Sequence, residues 1–79
     1  MILVQDALAQ IQHELASLGI LDSRLEAELL LMDSLGKSRA CLYASLSDTI
    51  SPQDDYSLEQ RLRRRKSREP LFQILGRRE

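Results

Sequence analysis

At 79 residues the chain has room for one small domain, and a domain of that size buries only ~60% of the surface of its unfolded chain. Hydrophobic residues make up 43% of it and aromatic residues 4%, without any Trp, so the core is expected to consist mainly of Leu, Ile, Ala and Met, a composition that favours helices. The single cysteine, Cys41, excludes an intrachain disulfide, and no apolar run reaches the ~18 residues of a membrane span, so a cytoplasmic protein without a membrane partner is predicted.

The charge is unevenly distributed, although the net charge is only -1. Residues 1–59 carry ten acidic and three basic side chains, a net charge of -7, whereas residues 60–79 carry eight basic and two acidic side chains, a net charge of +6. The basic end is therefore expected either to meet an acidic partner or to pair with the acidic part of the same chain.

A first helix is predicted from apolar residues that recur at spacings of four, three, four and three. These residues are Val4, Leu8, Ile11, Leu15 and Leu18. The helix is expected to end at Gly19, because glycine adopts the left-handed conformation without steric cost.

A second helix is predicted to begin after Asp22, which is a good N-cap residue. One apolar face is marked by Leu25, Leu29 and Met32, and it is widened by Leu30 and Leu31. Since the helix is apolar over more than half of its circumference, we expect it at the centre of the bundle. We also expect Leu29→Ala to be strongly destabilising, by about 2–5 kcal/mol.

The third and fourth helices are predicted from residues that end a helix and from residues that cap the start of one. Gly36 is expected to end the second helix, and Ser38 to cap a short third helix with Cys41 as a small buried residue beside Leu42 and Leu46. The segment Ser51-Pro52-Gln53-Asp54 predicts the start of a fourth helix that runs to about Lys66.

The last predicted helix is short. Glu69-Pro70 is expected to break the fourth helix, because the residue before proline avoids the helical region. Leu71, Ile74 and Leu75 then form a fifth helix that Gly76 closes. The fold class predicted is all-α, a small irregular bundle of about five short helices.

The residues that could carry chemistry do not form a recognisable catalytic, cofactor or metal site. The glycines Gly19, Gly36 and Gly76 are too far apart for a phosphate- or cofactor-binding loop. His13 is the single histidine and is predicted on an exposed face, far in sequence from Cys41. Two carboxylate pairs, Glu26 with Glu28 and Asp54 with Asp55, are spaced so that their side chains point in different directions.

The basic run lacks the pattern that is typical of a nucleic-acid-binding helix. At about 100° per residue, Arg61, Arg64, Arg65 and Arg68 share one face, while Arg63 and Lys66 lie on the other. Phe72 is the single aromatic residue nearby, and stacking on bases requires aromatic side chains. A solvated or internally paired face is favoured over a phosphate-binding one, and direct nucleic-acid binding is not expected.

Two segments carry a resemblance to a known family. Residues 68–79, REPLFQILGRRE, are similar to the stretch that joins the helical N-terminal domain to the catalytic domain in the HemK/PrmC glutamine methyltransferases. Residues 22–31, DSRLEAELLL, resemble the second helix of that N-terminal domain. The sequence departs from the family pattern at Phe72 and Gln73, where Gln and Tyr are common, and it ends at Glu79, where an aromatic residue would begin the next domain.

The resemblance implies the N-terminal substrate-binding domain of an S-adenosylmethionine-dependent enzyme. That enzyme would methylate the side-chain amide of the glutamine in the Gly-Gly-Gln motif of peptide-chain release factors, which would be the protein partner. The S-adenosylmethionine site and the Asn-Pro-Pro-Tyr loop for the substrate amide would lie in a following catalytic domain, so the 79 residues are expected to be non-catalytic and to bind neither cofactor nor metal.

The domain division that follows is residues 1–67 as the helical recognition domain and residues 68–79 as a junction to the absent catalytic domain. Arg61, Arg64 and Arg65 are the candidate substrate contacts. Six junction residues match the family pattern: Arg68, Glu69, Pro70, Leu71, Ile74 and Gly76.

Two alternatives stay open at this point. The related ribosomal-protein glutamine methyltransferases also have a helical N-terminal part and an Arg/Pro-containing junction. From a different class, the chain could be a free-standing helical module that binds RNA or the ribosome through its basic end.

Overall fold

The computed structural model describes residues 2–76. These residues form five helices: α1 Val4–Ser17, α2 Ser23–Leu35, α3 Arg39–Ala44, α4 Pro52–Lys66 and α5 Leu71–Leu75. The predicted all-α bundle of about five helices is confirmed within this range. The last three residues of the predicted junction, 77–79, lie outside the described residues.

The helix boundaries follow the local signals. The Ser38 hydroxyl accepts a hydrogen bond from the Cys41 N–H at the start of α3, and the Ser51 hydroxyl accepts one from the Asp54 N–H at the start of α4. Gly36 ends α2 and Gly76 ends α5, both in the left-handed conformation. Asp22 occupies the N-cap position of α2 as predicted, but its side chain makes no capping hydrogen bond.

The start of α1 is completed by a distant segment of the chain, since its N-cap residue Leu3 has no side-chain acceptor. The Val4 N–H donates to the Asp48 carbonyl and the Gln5 N–H to the Leu46 carbonyl, both over 2.9 Å. The loop between α3 and α4 therefore supplies the acceptors that the first turn of a helix lacks.

Helix α2 is the centre of the bundle, as predicted, because it packs against each of the other four helices. The largest fully buried side chains come from α1, α2 and α3: Val4, Leu8, Leu15, Leu30, Leu31 and Leu42. Leu58 and Leu62 of α4 and Ile74 of α5 close the core from the other side.

The inward face of α2 is not the one that was expected. Ala27, Leu30 and Leu31 are fully buried, whereas Leu25 is 46% exposed and Leu29 is only partly buried. The apolar residues of α2 are spread almost evenly around its axis, so their pattern does not select an inward side. The small side chain of Ala27 is at the centre of the buried side, where it permits close packing of the neighbouring helices.

The expected burial of Cys41 is wrong, because its side chain is exposed. Helix α3 has only six residues, and Leu42 is the one that it buries completely. A helix of fewer than two turns can direct few side chains into a core, and Cys41 is one step, or about 100°, away from Leu42.

Candidate functional site: the basic helix and the junction

Helix α4 carries the charged residues that the sequence singled out. Asp54 and Asp55 lie in its first turn, and Arg63, Arg64, Arg65 and Lys66 in its last. Both groups are placed favourably for the helix dipole, because acids stabilise the N-terminus and bases the C-terminus. This local effect explains the order of charges along α4 but not what the side chains contact.

Two of the three candidate substrate contacts form ion pairs with α2. Arg61 Nε lies 2.7 Å from Asp33 Oδ2, and Arg65 Nε lies 2.8 Å from Glu26 Oε1. The Arg65 and Glu26 side chains are only 17% and 15% exposed. These pairs lie along the α2–α4 interface, so Arg61 and Arg65 hold the two helices together.

The third candidate, Arg64, has a local partner. Its Nε donates to Glu69 Oε1 over 3.0 Å, and this hydrogen-bonded ion pair lowers the pKa of Glu69. The Arg64 side chain remains 48% exposed, so its guanidinium is accessible from outside the bundle. Arg63 is exposed and has no ion-pair partner among residues 2–76.

The junction residues pack against the bundle. Arg68 takes a positive φ of 75°, which turns the chain after α4, and its guanidinium donates to the Leu18 carbonyl over 3.2 Å. The Glu69 carbonyl accepts a hydrogen bond from Arg65, and Pro70 stands at the N-cap position of α5. Ile74 is buried in the core.

The remaining predicted junction residues fit the same arrangement. Leu71 is partly buried and packs against the core, and Gly76 ends α5 in the left-handed conformation. The described part of the junction, residues 68–76, is therefore structurally continuous with the helices before it. Whether the domain boundary lies at residue 67 stays a prediction.

A cluster around Glu28 was not anticipated from the sequence. Glu28 is 9% exposed, and its carboxylate accepts hydrogen bonds from Tyr43, from Arg39 Nε over 3.0 Å and from Arg24 Nε over 3.4 Å. The Tyr43 hydroxyl and the two guanidinium groups hold the pKa of Glu28 below its ordinary value. The one local signal was the i, i+4 spacing of Arg24 and Glu28.

This cluster joins α2 to α3, and we interpret its role as holding these two helices together. The Arg24 guanidinium also lies 5.9 Å from the centre of the Tyr43 ring and donates to Gln12 of α1 over 3.1 Å. Every member thus has a partner within the cluster, and none is positioned as a nucleophile or a free base.

An open cleft of about 650 Å³ lies between α1, the N-terminal half of α4 and the segment that leads into α4. It is lined by Ile2, Gln10, Thr49, Ile50, Ser51, Pro52, Asp55 and Glu59.

Among residues 2–76, no three His, Cys, Asp or Glu side chains are grouped so that they could hold a metal ion. His13 is exposed on α1, as predicted. Within the same part of the chain, no helix has the length and hydropathy to cross a membrane.

Comparison with known proteins identifies the family. A release factor glutamine methyltransferase from Geobacter sulfurreducens is 39% identical over 62 residues, which cover 78% of this chain and 22% of that relative. No solved structure matches the chain. The family model described as the PrmC N-terminal domain matches residues 6–76, from the first turn of α1 to the end of α5. Since this match covers most of the sequence, the chain belongs to the PrmC N-terminal domain family.

Proposed function

We propose that this chain is the substrate-recognition domain of an S-adenosylmethionine-dependent methyltransferase. The enzyme would methylate the glutamine of the Gly-Gly-Gln motif in peptide-chain release factors and act in the cytoplasm. The observation that carries the proposal is the family match over residues 6–76, supported by the relative named as a release factor glutamine methyltransferase.

We propose that cofactor binding and substrate recognition lie in different domains, and the positions of the glycines in the bundle support this proposal. Transfer of a methyl group from S-adenosylmethionine to an amide nitrogen requires a cofactor site and groups that orient the amide. The three glycines in residues 2–76 stand singly after helix ends, where they serve chain reversal. We therefore assign cofactor binding and methyl transfer to a following domain, and recognition of the protein substrate to this one.

Arg64 is the strongest of the three proposed substrate contacts, because it is half exposed and has only a local partner. Arg61 and Arg65 lie on the same helix face, but Asp33 and Glu26 offset their charges, so we expect them to contribute less than Arg64. Such a surface would act mainly on the rate of encounter with an acidic region of the release factor, and the effect would weaken as salt rises.

The proposal is tested with the protein that includes the residues after 79, assayed for methyl transfer from S-adenosylmethionine to a purified release factor. We expect transfer to the Gly-Gly-Gln glutamine, located by mass spectrometry, and no transfer when that glutamine is replaced by asparagine. Transfer to a ribosomal protein instead, or none to either substrate, would reject the proposal. In parallel, calorimetric titration of the 79-residue chain with S-adenosylmethionine is expected to show no binding; micromolar affinity would contradict the division of labour.

The arginine contacts are tested by charge reversal in the same enzyme. Arg64→Glu should raise KM for the release factor at low salt and lower the melting temperature less than the other two reversals, because its ion pair is the most exposed of the three. Arg61→Glu and Arg65→Glu should lower the melting temperature, because each places a carboxylate opposite an acid of α2. If KM is unchanged in all three, the arginines are structural or solvated and do not contact the substrate.

A further inference from the structure

The turn between α4 and α5 contains the one non-glycine residue with a positive φ among residues 2–76, Arg68 at 75°. The Arg68 N–H donates to the Arg65 carbonyl over 3.0 Å, and the Glu69 N–H donates to a carbonyl one residue earlier over 3.2 Å. Many helices end with this pair of bonds, and glycine usually takes the left-handed position, as it does after α2 and α5. Because a residue with a β-carbon is strained there, the backbone turn alone does not explain an arginine at position 68.

The Arg68 side chain makes a contact that glycine could not make. Its guanidinium donates over 3.2 Å to the carbonyl of Leu18, which lies 50 residues earlier in the sequence. Leu18 is the C-cap residue of α1, and the last turn of α1 contains no basic residue. A cation is favourable at a helix C-terminus, because the last carbonyl groups lack partners and form the negative end of the helix dipole. Arg68 thus links the turn before α5 to the end of α1.

The residue after Arg68 is held in place as well. Glu69 accepts a hydrogen bond from Arg64 at its carboxylate over 3.0 Å and one from Arg65 at its carbonyl over 3.2 Å. Pro70 follows, and its ring restricts φ just before α5 begins. The turn is therefore attached to α4 through Glu69 and to α1 through Arg68.

Helix α5 takes its direction from this turn. It has only five residues, which are too few for a helix that is stable by itself, and Ile74 is its one buried residue. The described chain ends at Gly76, the C-cap residue of α5. The direction of α5 therefore decides where the residues after 76 leave the bundle.

We propose that Arg68 is a positioning residue, which holds α5 so that the following domain begins at a fixed point relative to the arginine face of α4. This inference rests on the proposed function, which assigns methyl transfer to that following domain. A release factor bound at α4 must reach the catalytic domain at the same time, so the placement of the two sites determines how often its glutamine is in position for transfer. A strained residue whose side chain reaches 50 positions back suits this role, because backbone strain is retained where function requires it.

Arg68→Asn tests this assignment, because asparagine tolerates the left-handed conformation but is too short to reach Leu18. In the protein that includes the following domain, we expect kcat for transfer to a release factor to fall about fivefold at low and high salt alike. KM and the affinity for S-adenosylmethionine should stay unchanged. Hydrogen exchange, read by peptide mass spectrometry, should become about tenfold faster in α5 and stay unchanged in α1.

Arg63→Gln is the matched control for the loss of one positive charge. Arg63 belongs to the same basic run, is exposed and has no ion-pair partner among residues 2–76. Its replacement should change neither kcat nor the exchange of α5. An equal loss of kcat in this variant would show that the charge of the run matters and not the contact of Arg68.

Three results for Arg68→Asn would overturn the proposal. A raised KM that recovers at high salt would make Arg68 a direct substrate contact. Faster exchange in α1 as well as in α5 would show that Arg68 only stabilises the whole bundle. Unchanged kcat, or unchanged exchange in α5, would show that the turn is held without Arg68. If the unsubstituted protein transfers no methyl group to a release factor, the proposed function fails, and the exchange of α5 alone then decides whether Arg68 holds this helix.

Discussion

Arg65 and Glu26, which are 39 residues apart in the sequence, meet across the α2–α4 interface with 2.8 Å between Arg65 Nε and Glu26 Oε1. The same guanidinium donates to the Glu69 carbonyl over 3.2 Å. One side chain of the basic run thus connects the central helix, the last turn of α4 and the junction.

Removing this side chain should destabilise the bundle. We expect Arg65→Met to lower the free energy of unfolding by about 1–3 kcal/mol, because Glu26 is left without its partner in a largely buried position. Arg63→Met is the control, since Arg63 is exposed, and its effect should stay within about 0.5 kcal/mol. Urea unfolding measures both variants, and equal losses would contradict a role of Arg65 in the α2–α4 interface.

Leu30 and Leu29 are adjacent on α2 but differ in burial. Leu30→Ala should cost about 2–5 kcal/mol, because Leu30 is fully buried and its truncation leaves a cavity. Leu29→Ala should cost clearly less, because Leu29 is only partly buried. The substitution and the helix are the same, so helix propensity cancels between the two variants. Thermal unfolding compares them, and a larger loss for Leu29→Ala would mean that α2 directs Leu29 and not Leu30 into the core.

The Glu28 cluster predicts a loss of stability in acid. The pKa of Glu28 is lowered below its ordinary value of 4.5, first by the Tyr43 hydroxyl and then by the arginines. A carboxyl group with a lowered folded-state pKa contributes stability that is present above its unfolded pKa and is lost as pH falls through the folded value. The free energy of unfolding should therefore decline below about pH 4.5.

Replacing Glu28 shows how much of the decline in the free energy of unfolding this residue causes. Glu28→Gln should make the decline shallower without abolishing it, because the pKa values of Glu14 and Glu69 are also lowered, by Lys66 and Arg64. Urea unfolding at several pH values from about 3 to 6 measures the slope. Parallel curves for the two proteins would show that Glu28 keeps its ordinary pKa in the folded state.

Two of the three predicted N-caps, Ser51 and Asp22, should differ in energetic importance. Ser51→Ala is expected to cost about 1 kcal/mol, because the Ser51 hydroxyl accepts the hydrogen bond from the Asp54 N–H over 3.1 Å. Asp22→Ala should cost less, because the Asp22 side chain makes no capping bond. Both variants are compared by urea unfolding at neutral pH, and an equal or larger cost for Asp22→Ala would reverse this assignment.

The helices and their ends could be predicted from short stretches of the chain. The stripe on α1, the cap and proline at Ser51 and Pro52, and the break at Glu69 and Pro70 all act within one or two turns of a helix, so local sequence is sufficient to specify them. The family resemblance also rests on contiguous residues, 22–31 and 68–79, and the comparison with known proteins confirms it.

The partners of the side chains depended on how the helices pack. Helix α2 is apolar on more than one side, so only its contacts with α1 and α4 select Ala27, Leu30 and Leu31 as the inward face and leave Leu25 outside. The basic run was compatible with an external partner or an internal one, and the fold places Arg61 and Arg65 opposite Asp33 and Glu26. The partners in these two ion pairs are separated by 28 and 39 positions in the sequence. Such pairs have no local sequence signature, because the distance between the charges is set only when the two helices come together.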